Sequence, residues 1–202
     1  MKSLLLLPAT VIALAYAHEV AGAAPAAAGR TFGEHDWAID PVHSSVVFRV
    51  KHANASWFQG TFDKIEGTIT LDAAKPEDGA VHLLIPVESV DTNDAKRDGH
   101  LKGSDFFSAK ENPNIEFTST KITKGGDDGY MVAGKLAMAG KEQAVTIPVV
   151  KTGAGDFFGP REGWMATFKI KRSEFGMTYG LAKDALGDEI ELSIALETVK
   201  PK

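Results

Sequence analysis

The chain has 202 residues, a formal net charge of −5 and no cysteine. That length supports one domain whose core stands without covalent staples, and the missing thiols exclude disulfides, thiolate metal sites and a cysteine nucleophile. An acidic balance without clustered Lys and Arg excludes nucleic acid as the partner.

The first stretch reads as a secretory signal. Lys2 is a positive n-region, Leu4 to Ala15 an apolar run, and Ala15-Tyr-Ala17 a small-x-small cleavage site. The run is shorter than the roughly 20 residues a membrane span needs. Residues 1–17 are expected to be removed, with Ala23 as the alternative end. Residues 18–36, rich in Ala and Gly, form a flexible leader, and 37–200 form the folded domain. The expected location is the periplasm. No later run approaches span length, so no stable membrane span is expected.

Trp37 opens the folded part and Pro41 interrupts it. Ser44 to His52 then alternates, with Val46, Phe48 and Val50 on one face and Ser45, Arg49 and Lys51 on the other. A period of two marks a half-buried strand. Phe58 to Leu71 reads as a long strand whose alternation slips near Asp63, as a β-bulge would make it do. Val81, Leu83, Ile85 and Val87 share a face of the next strand. Pro86 removes a ladder donor there and points to an edge or a bulge.

Glu88 to Phe107 holds the densest cluster of ionisable residues. Asp91, Thr92 and Asn93 suit a helix N-terminus, Asp94 to His100 is long enough for about two turns, and Gly99 or Gly103 can end the helix at positive φ. The stretch reads as a short helical plug that returns Phe106 and Phe107 to an apolar interior.

A strand follows from Ile115, and Gly125 to Gly129 is a hairpin turn. Tyr130, Val132, Gly134, Leu136 and Met138 share one face. Gly140-Lys141 turns the chain into Val145 to Val149. Gly153 to Gly163 reads as a glycine-rich loop carrying Phe157 and Phe158. Met165 to Lys171 and Glu189 to Thr198 are the last strands, the final one presenting Ile190, Leu192, Ile194 and Leu196 together.

The fold class is therefore all-β, about eight strands with one apolar face each. Such a sheet must fold over or close on itself. A barrel of eight strands has room for side chains or one small ligand. A two-sheet sandwich is the competing architecture. Gly60, Gly67 and Gly134, on otherwise apolar faces, favour the barrel.

Several motifs together carry a resemblance. They are Asp40-Pro-Val-His-Ser-Ser-Val-Val-Phe-Arg-Val-Lys-His52, Gly60-Thr-Phe62, Ser89-Val-Asp-Thr92 and Arg97-Asp-Gly-His-Leu-Lys-Gly-Ser-Asp-Phe-Phe107. Pro113-x-Ile-x-Phe117, Gly134-Lys-Leu-x-Met-x-Gly140, Val145-Thr-Ile-Pro-Val149, Arg172-Ser-Glu-Phe-Gly-Met177 and Gly187-Asp-Glu-Ile-Glu-Leu192 continue it. From about Trp37 to Thr198 the chain resembles the YceI-like family of periplasmic, lipocalin-like polyisoprenoid-binding proteins. Ala144 departs from the polar residue usual before the Val-Thr pair.

The resemblance implies an extended eight-stranded antiparallel lipocalin-like barrel with a short helix between strands. Its cavity would hold a polyprenyl phosphate or an isoprenoid quinone. The expected lining is Phe48, Val50, Phe58, Phe62, Leu83, Ile85, Phe106, Phe107, Phe117, Leu136, Met138, Phe168, Phe175 and Met177. Arg97, Asp98, His100 and His52 are the head-group or plug candidates, against the plainer reading that Arg97 pairs with Asp98 and His100 anchors the plug. A carrier, or store, of isoprenoid lipid is the leading function. A homodimer and a membrane partner that uses quinone are further expectations.

Two other functions stay open. One is an enzyme acting on such a lipid, with Asp98 or His100 as base; the other is a stress-response protein whose cavity is incidental. The enzyme lacks a visible nucleophile elbow or paired-carboxylate pattern, so no catalytic residue is assigned. No metal or cofactor is expected. The six His are scattered, and the calcium-like start at Asp91-Thr-Asn-Asp fails at Ala95 and Lys102.

Overall fold

The computed structural model describes residues 32–201. The expected signal and most of the expected leader lie outside them. Eleven strand segments make up the sheet: β1 (Asp36–Ile39), β2 (Ser45–His52), β3 (Ser56–Phe62), β4 (Glu66–Thr70), β5 (Ala80–Pro86), β6 (Val90–Asp91), β7 (Asn114–Lys124), β8 (Gly129–Met138), β9 (Lys141–Gly155), β10 (Arg161–Lys171) and β11 (Leu186–Val199). They act as eight staves. β1 and β2 lie along the same edge of β11, β3 and β4 pair with them in turn, and β5 with β6 forms the third. Each stave is antiparallel to the next, and β11 returns to β1, so the sheet closes as a barrel.

The breaks in the staves have local causes. Pro41 stops β1, and the gap to β2 is bridged by one backbone bond and one side-chain bond to β11. Asp40 N–H donates to Glu197 O at 2.8 Å, and Glu197 N–H donates to Ser44 Oγ at 3.1 Å. The slip near Asp63 is a three-residue break, not the single-residue bulge expected; Asp63 N–H still donates to Ser89 O at 2.9 Å, carrying the β3–β6 register one residue further before the chain leaves it. This lets Phe62 and Ile65 both point into the core, at 5% and 1% exposure.

Beyond Pro86 the third stave narrows to β6, and the wall between β3 and β7 is completed by α1 (Ala95–Leu101) and the turns after it. Asp94 is its N-cap, accepting from Arg97 N–H at 2.8 Å. Neither Gly99 nor Gly103 ends the helix at positive φ; it stops at Lys102 in right-handed geometry and runs on into tight turns that place Phe106 and Phe107. The expected loop from Gly153 to Gly163 is also mostly strand. β9 and β10 stay paired from Gly153 opposite Gly163 out to Gly155 opposite Arg161. Only 156–160 turn, leaving Phe157 and Phe158 exposed at the end of the barrel remote from α1.

Candidate functional site

The barrel interior is hollow. At the α1 end a lower chamber encloses about 1000 Å³, counting its opening to solvent, and its wall presents only apolar surface. An upper chamber of about 630 Å³, likewise counting its opening to solvent, lies toward the far end and is also almost wholly apolar. Leu83, Phe117, Ile147, Phe168 and Ile194 line both and form a waist between them.

The alternation of the strands produces this wall. From β2 and β3, Phe48, Val50 and Phe62 reach the lower chamber; from β5 and β7, Leu83, Ile85 and Phe117; from β8, Leu136 and Met138; from β10, Phe168. Phe106, Phe107 and Met177 close it from the plug and the β10–β11 connection. Phe107 meets Phe62 edge-on at 5.7 Å between centroids, and Phe62 meets Phe48 at 5.6 Å. These aromatic contacts dock the plug on the wall.

Two of the expected lining residues sit elsewhere. Phe58 faces the same way as its partner Val50 but lies under the Arg97 guanidinium, 4.3 Å from its ring centroid, and lines neither chamber. Phe175 belongs to a single 3₁₀ turn, Arg172–Phe175, and is buried solid at 1% exposure. Beyond the expected lining, Val46, Leu101, Ile115, Ile147, Ile170 and the β11 series Leu186, Ile190, Leu192 and Ile194 also line the lower chamber. The signal for the β11 series was present, since their alternation matches that of Phe48 and Val50.

The charged residues of the plug form a network around Thr92, buried at 4% exposure. Asp98 accepts from Thr92 N–H at 2.9 Å and from its hydroxyl. Arg97 donates through Nε to Thr92 Oγ1 at 2.8 Å and through Nη2 to Thr92 O at 2.5 Å. Arg97 and Asp98 thus share a threonine; they are not each other's partner. His100 faces Asp105 at 2.8 Å and stacks edge-on against Phe106 and Tyr179, tying the plug to the β10–β11 connection. His52 is exposed at the β2–β3 turn. None of these four residues lines either chamber.

A family model described as the YceI-like domain matches residues 37–198. The chain belongs to the YceI-like family. A relative called UPF0312 protein, from Serratia proteamaculans, is 36% identical over 171 residues, covering 83% of this chain and 88% of the relative. Burkholderia cenocepacia BcnA has the same fold, with TM-score 0.72, 30% identity, and coverage of 79% of this chain and 98% of BcnA. A polyisoprenoid binding domain from Saccharophagus degradans matches at TM-score 0.66 and 15% identity, over 82% of this chain and 98% of that one, and shows the likeness of fold.

Several YceI-like motif residues hold the barrel wall together. Arg172 is 2% exposed and meets the lower chamber through its aliphatic stem. Its guanidinium donates to the carbonyls of Gly187, Met177 and Leu186 at 2.7, 2.7 and 2.8 Å, stitching the β10–β11 connection shut. Burial lowers its pKa, and the Asp188 charge opposes that shift. Asp40 accepts from His43 Nδ1 at 3.0 Å and from Arg161 Nη1 at 2.9 Å. The His43 bond, chiefly, holds the Asp40 carboxyl down from 3.8 to about 2, with Arg161 adding to it. Asp40, His43 and Glu197 offer donor atoms within 4.8 Å of one another. Arg161 already supplies a cation to both carboxylates, donating to Glu197 at 2.5 Å, so the group reads as a clasp across the β1–β2 break and not as a metal cage. Among the described residues no helix is long and apolar enough to cross a membrane.

Proposed function

We propose that this chain binds an isoprenoid lipid inside its barrel and serves in the periplasm as its carrier or store. The observation that carries the reading is the pair of almost purely apolar chambers stacked inside the barrel, with five lining residues in common. A filled barrel needs no such space. An apolar chain gains about 0.8 kcal/mol for each buried CH₂, so one isoprene unit contributes roughly 4 kcal/mol before entropy losses. A few units then bind tightly with hardly a polar contact. The shared fold of a protein described as a polyisoprenoid binding domain supports the same reading. The periplasmic location rests on the signal-like sequence of residues 1–17.

Native mass spectrometry of the purified protein tests this. The expected result is an adduct that organic extraction removes and added isoprenoid restores. A protein that carries no adduct and takes up neither a prenol nor a prenylated quinone would overturn it.

A further inference from the structure

The three most exposed large apolar side chains among the described residues lie in two turns that are tied together. Phe157, Val42 and Phe158 are 89%, 81% and 78% exposed, and the next, Tyr179, only 51%. Phe157 and Phe158 form the tip of the β9–β10 hairpin, where the two rings meet edge-on at 4.6 Å between centroids. Val42 sits in the turn between β1 and β2. The clasp joins these turns at their bases. Arg161, the first residue of β10, donates to Asp40 at 2.9 Å, and Asp40 accepts from Val42 N–H at 3.0 Å.

The tip is braced. β9 and β10 stay paired out to Gly155 opposite Arg161, and Arg161 pairs on its other side with Val199. Phe157 then bridges to Gly159, whose φ of 92° suits a glycine in the turn. Such a ribbon holds the rings away from the apolar surface of the barrel itself. The same hairpin also reaches inside, because Trp164 of β10 lines the upper chamber.

Size and charge decide what the tip meets. An aromatic side chain buries about 150–250 Å², so two rings offer about 300–500 Å². A stable contact between two proteins takes about 800 Å² from each partner. A second copy of the chain, or another folded protein, needs more surface than these turns provide. A bilayer sets no such minimum, needs no shaped pocket and accommodates aromatic side chains at its interface. Asp156 is the one charged residue in 156–160. Arg161 is committed to Asp40 and Glu197, and Lys151 to Glu162. The hairpin therefore holds no free cation with which to attract anionic lipid.

We propose that Phe157 and Phe158, with Val42 beside them, dock the upper end of the barrel on a lipid bilayer by inserting into its uncharged interface. Two rings give a weak, reversible hold, looser than one acyl anchor. A carrier that exchanges lipid with a membrane and then departs requires a hold of that kind. The purpose of the contact rests on the lipid-binding reading above; the contact itself is measured without cargo.

The secreted form, expected to lack residues 1–17, is used, because that apolar run would bind vesicles by itself. It is sedimented with phosphatidylcholine vesicles at about millimolar lipid. The native chain is expected to co-sediment in part, and the double variant Phe157→Ser with Phe158→Ser to bind about a hundredfold more weakly. High salt and added phosphatidylglycerol should leave the native result unchanged. Prenol uptake from detergent solution should be equal in both chains. A native chain that stays in the supernatant, a double variant that sediments equally well, or binding that requires phosphatidylglycerol would overturn the docking tip. So would a native dimer that the double variant turns into a monomer while neither binds vesicles. Docking without prenol uptake sinks the lipid-binding reading and leaves the tip standing; uptake without docking does the reverse. Phe158→Trp adds a reading that keeps the tip aromatic. Its fluorescence, beyond that of the three native indoles, is expected to shift to the blue with vesicles, and an unshifted spectrum refutes insertion.

Discussion

A β-carbon on Gly60 would stand 2.5 Å from Cζ of Phe48. The missing side chain is what lets the Phe48 ring lie along the wall and leave the lower chamber open. Gly134 does the same for Phe117 at the waist, where the approach would be 2.6 Å. The two glycines differ in what else they touch. Around Gly60 the close atoms all belong to side chains, Phe48 and Thr92, whereas Gly134 also abuts the Thr118 carbonyl at 2.5 Å. Gly60→Ala is therefore expected to swing Phe48 into the chamber and reduce uptake of long prenols, at a stability cost of about 1–3 kcal/mol. Gly134→Ala must also move backbone and should lower Tm further, at roughly 2–4 °C per kcal/mol for a domain of this size. Calorimetry and prenol titration check both. Undiminished uptake in Gly60→Ala would mean that Phe48 finds another place to go.

Arg172 binds three carbonyls with one planar group, and no lysine can repeat that. Arg172→Lys should leave at least one of the carbonyls of Met177, Leu186 and Gly187 unpaired, destabilising the fold by about 1–3 kcal/mol. The effect should be local first. Amide exchange between Met177 and Leu186 is expected to quicken before the strands respond. Uniform exchange across the barrel would show that Arg172 supports the whole fold and not this connection alone.

The face of each strand was legible in the sequence; the height of each residue along the barrel was not. Phe48 and Phe58 illustrate the difference. Period-two alternation turns both inward, but Phe58 sits where Arg97 covers it, outside the hollow. Phe175 was misplaced for another reason. It lies in a 3₁₀ turn, where alternation has no meaning. Trp164 was passed over because the run from Gly153 to Gly163 resembles a loop by composition, although both arms stay paired across it. Glycine there marks close pairing and a register shift between Gly163 and Trp164. The role of Arg172 could not be seen from hydrophobic pattern at all. Its partners are carbonyls 5, 14 and 15 residues away, brought back by a connection whose path only the fold defines.

The clasp across the β1–β2 break gives the fold an acid limit. The Asp40 carboxyl titrates at about 2 in the folded chain against an ordinary 3.8. A folded value below the unfolded one means that the unfolded chain takes up protons first, so the stabilisation is complete above about pH 4 and disappears as pH falls toward 2. Asp40→Asn is expected to lower Tm at neutral pH and to flatten the slope of Tm between those limits. His43→Ala, which removes the leading cause, should raise the Asp40 pKa; an unmoved carboxyl resonance in an NMR titration would shift the credit to Arg161.

Phe106 tests whether the plug belongs to the site or only covers it. It lines the lower chamber at 8% exposure and is held from behind by His100 and Tyr179, with ring centroids at 5.1 and 5.5 Å. Phe106→Asp places a carboxylate against an apolar wall whose one charged lining residue, Arg172, has its guanidinium committed to three carbonyls, a cost of several kcal/mol unless the group protonates or the plug swings out. If the chamber takes lipid as proposed, either route should prevent its uptake. Prenol uptake is expected to vanish at neutral pH and to recover in part near pH 4, where the carboxyl can be neutral. Phe106→Leu keeps the apolar wall and should retain most of the uptake. Uptake by Phe106→Asp equal to that of the native chain would place the plug outside the path of the ligand, and loss in both variants would mean that ring packing on His100 and Tyr179, and not polarity, holds the chamber in shape.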